Sequence, residues 1–404
     1  MKNIQWLKWG LLLTAVCYCG ISSAQVSSSP TLPYFSSKNG LGFTAPDSSF
    51  GVTLRFRIQS RFGFTTVSDE DFSPEGFDIR VRRTRLRLDG FVFNPRLTYN
   101  LQLSFSRADM DWDESQVPNV LRDAMINYKT RNGFTFSIGQ GKLPGNRQRV
   151  VSSGALQFAD RSIVNTQLTL DRDVGVFASY TNHAGDFHYI IKTAVTAGEG
   201  RNPNETDDGL AYTGRVELLP LGKFTDDGDY FEGDLAREKR PKVSLAATAQ
   251  WNDKARRARG QLGKPLYAPR DIYSFQADGL LKYQGFALSS EYLFRSTDTA
   301  LTYMEDDSSS YRFVYTGWGI NTQASYCFKN MWEIALRHSY LEPAKEIRPY
   351  EEARTQLAAG VTKYLVRHRV KLQADVTYEM DEDLITNKNV LNFYQVRFQV
   401  ELGI

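Results

Sequence analysis

The chain has 404 residues, of which 41 % are hydrophobic, 24 % charged and 13 % aromatic, with a formal net charge of +3. A composition this polar excludes a bundle of membrane-spanning helices, and the small net charge offers no bulk attraction to nucleic acid. Two or three soluble domains remain open, as does one large barrel whose strands are half polar.

The N-terminus reads as a secretory signal over residues 1–24. Lys2 and Lys8 are its basic part, residues 9–21 its apolar run, and Ser22-Ser23-Ala24 its small-residue cleavage site. Cleavage removes two lysines, which takes the charge from +3 to +1, and leaves Cys327 as the only cysteine, so no intrachain disulfide can form. Residues 25–50 are Ser/Pro-rich without a sustained period and read as a lead-in on the periplasmic side.

From residue 51 the pattern changes. Val52, Leu54, Phe56, Ile58, Phe62 and Phe64 alternate with Thr53, Arg55, Arg57, Gln59 and Arg61, a period of two that puts the two sets on opposite faces of a strand. An arginine facing lipid near the midplane costs roughly 2–4 kcal/mol, so Arg55, Arg57 and Arg61 must face water. On that reading Leu54 and Phe56 face hydrocarbon, and Gln59 lies on a wet face that accepts lysine.

The next alternating run holds Arg80, Arg82, Arg83, Arg85 and Arg87, five guanidinium groups in eight residues. Arg80 and Arg82 have one parity and Arg83, Arg85 and Arg87 the other, so bringing both sets inside requires a β-bulge near Arg82–Arg83. Two roles are open to them. They can form an anion-attracting wall, or they can pair with loop carboxylates and hold the interior together.

Alternating runs of about 10 to 16 residues continue to the C-terminus, giving about 16 strands. Tight-turn sequences such as Asn94-Pro95-Arg96, Arg131-Asn132-Gly133, Gln284-Gly285 and Lys329-Asn330 alternate with longer acidic connections. Short turns on one side and long loops on the other are the polarity of an all-β transmembrane antiparallel barrel over residues 51–404, with periplasmic turns and extracellular loops. A β-propeller would not alternate long and short connections in this way. Residues 221–241 are the misfit, a long acidic connection on the short-turn side.

A wall charge acts over a Debye length, about 8 Å at physiological salt, so selectivity in so wide a barrel needs a narrowing element. Residues 143–172 are the candidate constriction loop. They are less acidic than the other loops and carry Arg147, Arg149 and Arg161, with Lys142 just before them.

Acidic clusters occupy other loops. The run Asp109-x-Asp111-x-Asp113-Glu114 starts like an EF-hand but has Glu114 where glycine is needed and Val120 where glutamate is needed, so it reads as a solvated loop tip. His183, His188, His338 and His368 are scattered, and His338 and Ser339 fall on opposite strand faces. Gly141-Lys142 lacks the rest of a P-loop. No catalytic, metal or cofactor constellation emerges.

The order of several short pieces resembles the phosphate-selective porin O/P family over essentially the whole mature chain. They include Arg57-Ile58-Gln59-x-Arg61, Arg82-Arg83-Thr84-Arg85-Leu86, Gly139-Gln140-Gly141-Lys142-Leu143-Pro144, Asp160-Arg161-Ser162 and Arg172-Asp173-Val174-Gly175. The resemblance implies a homotrimer of 16-stranded barrels in the outer membrane of a Gram-negative bacterium. It would pass small anions such as phosphate by diffusion, in contact with membrane lipid and lipopolysaccharide, without a cofactor. The alternatives are a general, non-selective porin on the same fold and an outer-membrane enzyme or adhesin barrel.

Overall fold

The computed structural model describes residues 34–36, 40–110, 119–203, 206 and 208–404. The expected signal peptide lies outside them, as do Asp111, Asp113 and Glu114 of the acidic run.

Sixteen long strands form the wall. The first eight are β1 (Phe50–Thr66), β2 (Arg80–Val92), β3 (Asn94–Ser104), β4 (Leu121–Lys129), β5 (Phe134–Lys142), β6 (Arg172–Ala184), β7 (Phe187–Thr196) and β8 (Ala211–Leu219). The rest are β9 (Lys242–Arg257), β10 (Pro265–Tyr283), β11 (Phe286–Ser296), β12 (Gly317–Cys327), β13 (Trp332–Pro343), β14 (Ala353–Val366), β15 (Val370–Asp383) and β16 (Lys388–Gly403). Each pairs antiparallel with its neighbours, and β16 pairs with β1 from Gln395↔Thr65 to Gly403↔Arg57, which closes the barrel. Where β16 ends, the short strand Gly40–Thr44 takes over the edge of β1 through Leu41↔Leu54 and Phe43↔Val52. Part of the expected lead-in is therefore sheet: its alternation is too short to register as a period, but it satisfies backbone groups that β16 leaves open.

Burial is inverted relative to a soluble protein. Ile58, Phe62, Ile126, Phe136, Ile138, Ile334 and Leu336 are among the exposed residues, while Gln59, Arg83, Arg85, Gln276, Glu333 and Gln399 are buried inside. Rings meet near strand ends, as in Tyr212–Trp251 at 5.5 Å, Trp318–Tyr340 at 5.4 Å and Tyr326–Phe328 at 5.0 Å, the aromatic girdle of a membrane barrel. The β10–β11 turn has Gln284 at φ 49 and Gly285 at φ 96, the doubly left-handed geometry of a tight hairpin.

Two bulges alter the strand parity. Between β1 and β2, Gln59 faces Arg83 and Ser60 faces Val81, so Arg82 is the extra residue. Between β3 and β4, Gln102 faces Asp123 and Leu103 faces Leu121, so Arg122 is extra. Each bulge turns an additional arginine toward the interior.

The lumen holds two chain segments. Residues 143–172 enter from the long-loop end and carry the short helices α1 (Arg147–Val150) and α2 (Ile163–Leu168). The Ser162 hydroxyl caps α2 by accepting from Asn165 N at 3.1 Å. One face of α2 buries Val164 and Leu168 against Leu293 and Leu341 of the inner wall, under Ala300, Tyr315 and Ile347. The interior thus contains a small apolar core that a wet-lumen reading does not anticipate. Residues 221–241 enter from the opposite end. Gln59 also differs from expectation. It is fully buried and donates to Ser153 O at 3.2 Å and Glu401 Oε2 at 2.8 Å, so its face is closed by the loop and is not a site for lysine.

Candidate functional site

Between the inner faces of β2–β6 and the inward loop lies a cavity of about 300 Å³. Among the described residues its lining carries seven cations, Arg85, Arg87, Arg122, Lys142, Arg149, Arg161 and Arg172, and one carboxylate, Asp123. The wall strands supply Arg85, Arg87, Arg122, Lys142 and Arg172, and the loop supplies Arg149 and Arg161. Asn100, Gln102, Asn127, Ser152 and Ser153 complete the polar surface.

The cations are held in two ways. Some have carboxylate partners. Arg85 Nε donates to Asp109 at 2.8 Å, Arg122 pairs with the same carboxylate at 3.2 Å, and Arg172 Nε donates to Asp123 at 2.8 Å. Arg149 Nε donates to Asp171 at 2.9 Å, and Arg87 pairs with Asp89 at 2.7 Å. Among the described residues Lys142 and Arg161 instead donate only to main-chain carbonyls. Lys142 reaches Val150 O at 2.8 Å and Val151 O at 3.3 Å; Arg161 reaches Gln148 O at 2.7 Å and Val151 O at 2.8 Å. A carbonyl orients a cation without cancelling its charge, so the cavity keeps a positive excess.

Asp109, expected at a solvated loop tip, is buried beside Arg85 and Arg122. Burial opposes its charge, but the guanidinium groups of Arg122 and Arg85 outweigh burial and hold the carboxyl well below the usual range. It is a fixed counter-ion.

The remaining arginines singled out in the sequence lie away from the cavity lining. Arg61, Arg82 and Arg83 converge on Asp160 of the loop at 2.6, 3.3 and 3.2 Å. Burial opposes the Asp160 charge as well, but Arg82, Arg61 and Arg83 together hold that carboxyl well below its ordinary value. Arg57 donates to Ser153 Oγ at 2.9 Å and Ser152 Oγ at 3.2 Å. These four clamp the loop to the wall. Arg147 is also buried, donating to Asp278 at 2.9 Å and Ser244 Oγ at 2.7 Å on the far side of the barrel. Arg55 pairs with Asp89 toward the short-turn end, and Arg80 pairs with Asp78 at 2.5 Å with half its side chain exposed.

Of twelve arginines and lysines expected to meet solute, the structure brings Arg85, Arg87, Lys142, Arg149 and Arg161 to one cavity. It adds Arg122 and Arg172. The Arg122 bulge breaks strand parity, and Arg172 stands just outside the regular alternation. Ser339 is buried and bonded to Asn321 at 2.9 Å while His338 is exposed on the opposite face, so the two do not cooperate.

A family model described as phosphate-selective porin O and P matches residues 52–402. No curated protein matches the sequence. Among solved structures, the chain resembles the outer membrane channel DcaP of Acinetobacter baumannii, with a TM-score of 0.54 at 9 % identity, covering 93 % of this chain and all of that one. An anion-selective porin from Comamonas acidovorans gives 0.52 at 12 %, covering 88 % of this chain and 100 % of the other. OmpT, an outer membrane protein of Vibrio cholerae in its trimer form, gives 0.50 at 13 %, again covering 88 % and 100 %. At such identities these likenesses speak for the fold.

Proposed function

This chain belongs to the phosphate-selective porin O and P family, and from that premise we propose that it is an outer-membrane channel whose small anionic solutes diffuse past the cationic cavity. The family and the closed barrel point to a channel rather than an enzyme. The observation that carries the solute preference is the lining of seven cations against one carboxylate among the described residues, with neither Lys142 nor Arg161 in a salt bridge there. Arg85, Arg87, Arg122, Lys142, Arg149, Arg161 and Arg172 are the anion-contacting set, and residues 143–172 are the constriction. A permeating anion sheds part of its hydration to guanidinium and ammonium donors and leaves without chemistry, because several weak sites in a row favour passage over capture.

The same reading includes cleavage of residues 1–24, a homotrimer, lipid around the exposed apolar band and lipopolysaccharide at the long-loop end. The test is single-channel reversal potential across a salt gradient, in potassium chloride and in potassium phosphate. Anion preference in both is expected, with phosphate slowing the chloride current where it binds. A reversal potential at zero would leave a general porin, and a cation-selective one would reject the proposal.

A further inference from the structure

The segment 221–241 fits none of the roles above, yet its acidic residues are used inside the barrel. Its 3₁₀ turn, Thr225–Tyr230, ends beside the loop entering from the other side. Glu232 N donates to Ala155 O of the loop at 3.0 Å. The Glu232 carboxylate accepts from Gln157 N at 2.7 Å, Gln148 Nε2 at 3.4 Å and Gln323 Nε2 of β12 at 3.2 Å. Arg147 Nη1 donates to Asp229 O at 2.8 Å. From the wall, the Lys282 ammonium donates to Gly228 O at 2.6 Å and Phe231 O at 2.8 Å, and also reaches Gly233 O. Gly233 has φ 71, and a Cβ there would lie 2.4 Å from Glu333 Oε1, so only glycine lets the insert come this close to the wall.

What this junction covers differs in charge from the cavity on the other side of the loop. Glu291 and Glu333 are almost fully buried behind it. Glu291 accepts from Gln148 N at 2.6 Å and Asn146 Nδ2 at 3.2 Å; Glu333 accepts from Gln157 Nε2 at 2.6 Å and the Tyr364 hydroxyl at 2.5 Å. Among the described residues neither forms a salt bridge. The free space left here is a cavity of about 20 Å³, room for a single water. The loop therefore divides the lumen into a cationic cavity and a filled side, where Glu232 and Glu291 line the residual space with Arg147, the latter already paired to Asp278.

We propose that Glu232 is a positioning residue for selectivity, joining the periplasmic insert to the extracellular loop and sealing the acidic side so that solute is confined to the cationic one. An open acidic side would admit cations and add cross-section. Anion preference in this near-neutral protein then depends on closing one route as well as on lining the other. The inference rests on the proposed anion passage, so the wild type is measured first.

The experiment compares wild type, Glu232→Ala and Glu232→Gln as folded, heat-resistant barrels in planar bilayers at ~0.1 M potassium chloride. Glu232→Ala removes the carboxylate that accepts from Gln157, Gln148 and Gln323. It is expected to raise single-channel conductance about 1.5-fold or more and to lower the anion-to-cation permeability ratio about twofold or more. Glu232→Gln keeps one acceptor oxygen and is expected to move both readouts the same way by less, and it decides the matter if the alanine variant does not assemble. A wild type without anion preference sinks the functional reading itself. An anion-selective wild type whose variants melt earlier but keep their conductance and ratio overturns the junction proposal alone. So does a conductance rise with undiminished anion preference, because the route opened would not be acidic.

Discussion

Lys142 and Arg161 differ from the other cavity cations in having carbonyls, not carboxylates, as partners. Removing them breaks no salt bridge among the described residues, so the protein should fold, whereas removing Arg85 takes one of two paired cations from Asp109. A unit anion ~5 Å from either charge gains about 3 kcal/mol at an effective dielectric near 20, but under 1 kcal/mol in bulk water. A hydrated cavity lies between these limits. Lys142→Gln combined with Arg161→Gln should therefore lower the anion-to-cation permeability ratio about tenfold, with the melting temperature little changed. Arg55→Gln should change the ratio far less, because Arg55 shares Asp89 with Arg87 near the short-turn end and lies outside the cavity lining. Reversal potentials of the two variants at ~0.1 M salt decide the point. A larger effect from Arg55 would move the filter to the periplasmic mouth.

The strands follow from a pattern that any single strand displays, and this is why they were legible in the sequence. Each has a lipid face and an interior face, and swapping them costs several kcal/mol within one element. Ile58→Arg puts a charge among exposed apolar residues in the middle of β1, at roughly 2–4 kcal/mol, and should sharply reduce assembled barrel. Asn127→Lys puts the same kind of charge on the cavity lining of β4 and should assemble normally with a higher anion preference. Yields of heat-resistant protein for the two variants check the assignment, and equal losses would mean that β4 is inverted. The inward loop was also legible, because it is long and carries basic residues among acidic neighbours. The direction of its side chains was not. Arg147 and Arg149 are two residues apart, yet one anchors on Asp278 across the barrel and the other lines the cavity. Arg122 was hidden by the bulge that turns it inward, since parity counting assumes unbroken pairing. The insert at 221–241 was hidden for another reason. Asp226 and Asp227 are exposed, but Asp229, Glu232 and Asp234 look like a solvated acidic loop until they are placed beside Arg147, Gln157 and Gly285, partners about fifty residues or more away in sequence.

At the scale of the whole molecule, the formal charge of the chain is small while seven cations gather at one cavity, so net charge cannot set the preference. What matters is how close the path brings a solute to its cations compared with the screening length. A volume of about 300 Å³, taken as a sphere, has a radius of ~4 Å. The Debye length is about 10 Å at 0.1 M salt and 3 Å at 1 M. A wide lumen with charges only on its walls would lose its preference well before 1 M, because its centre would lie several screening lengths from any charge. On the proposed path the solute touches these cations, and little electrolyte fits between them. The permeability ratio should therefore fall only about two- to threefold from 0.1 M to 1 M, and the channel should stay anion-preferring throughout. The measurement is a series of reversal potentials at fixed concentration ratio and rising mean salt. A ratio reaching unity by ~0.3 M would mean that the field acts at an open mouth, and the loop would no longer account for selectivity. A ratio that persists while Lys142→Gln with Arg161→Gln abolishes it would place the filter at the cavity between loop and wall.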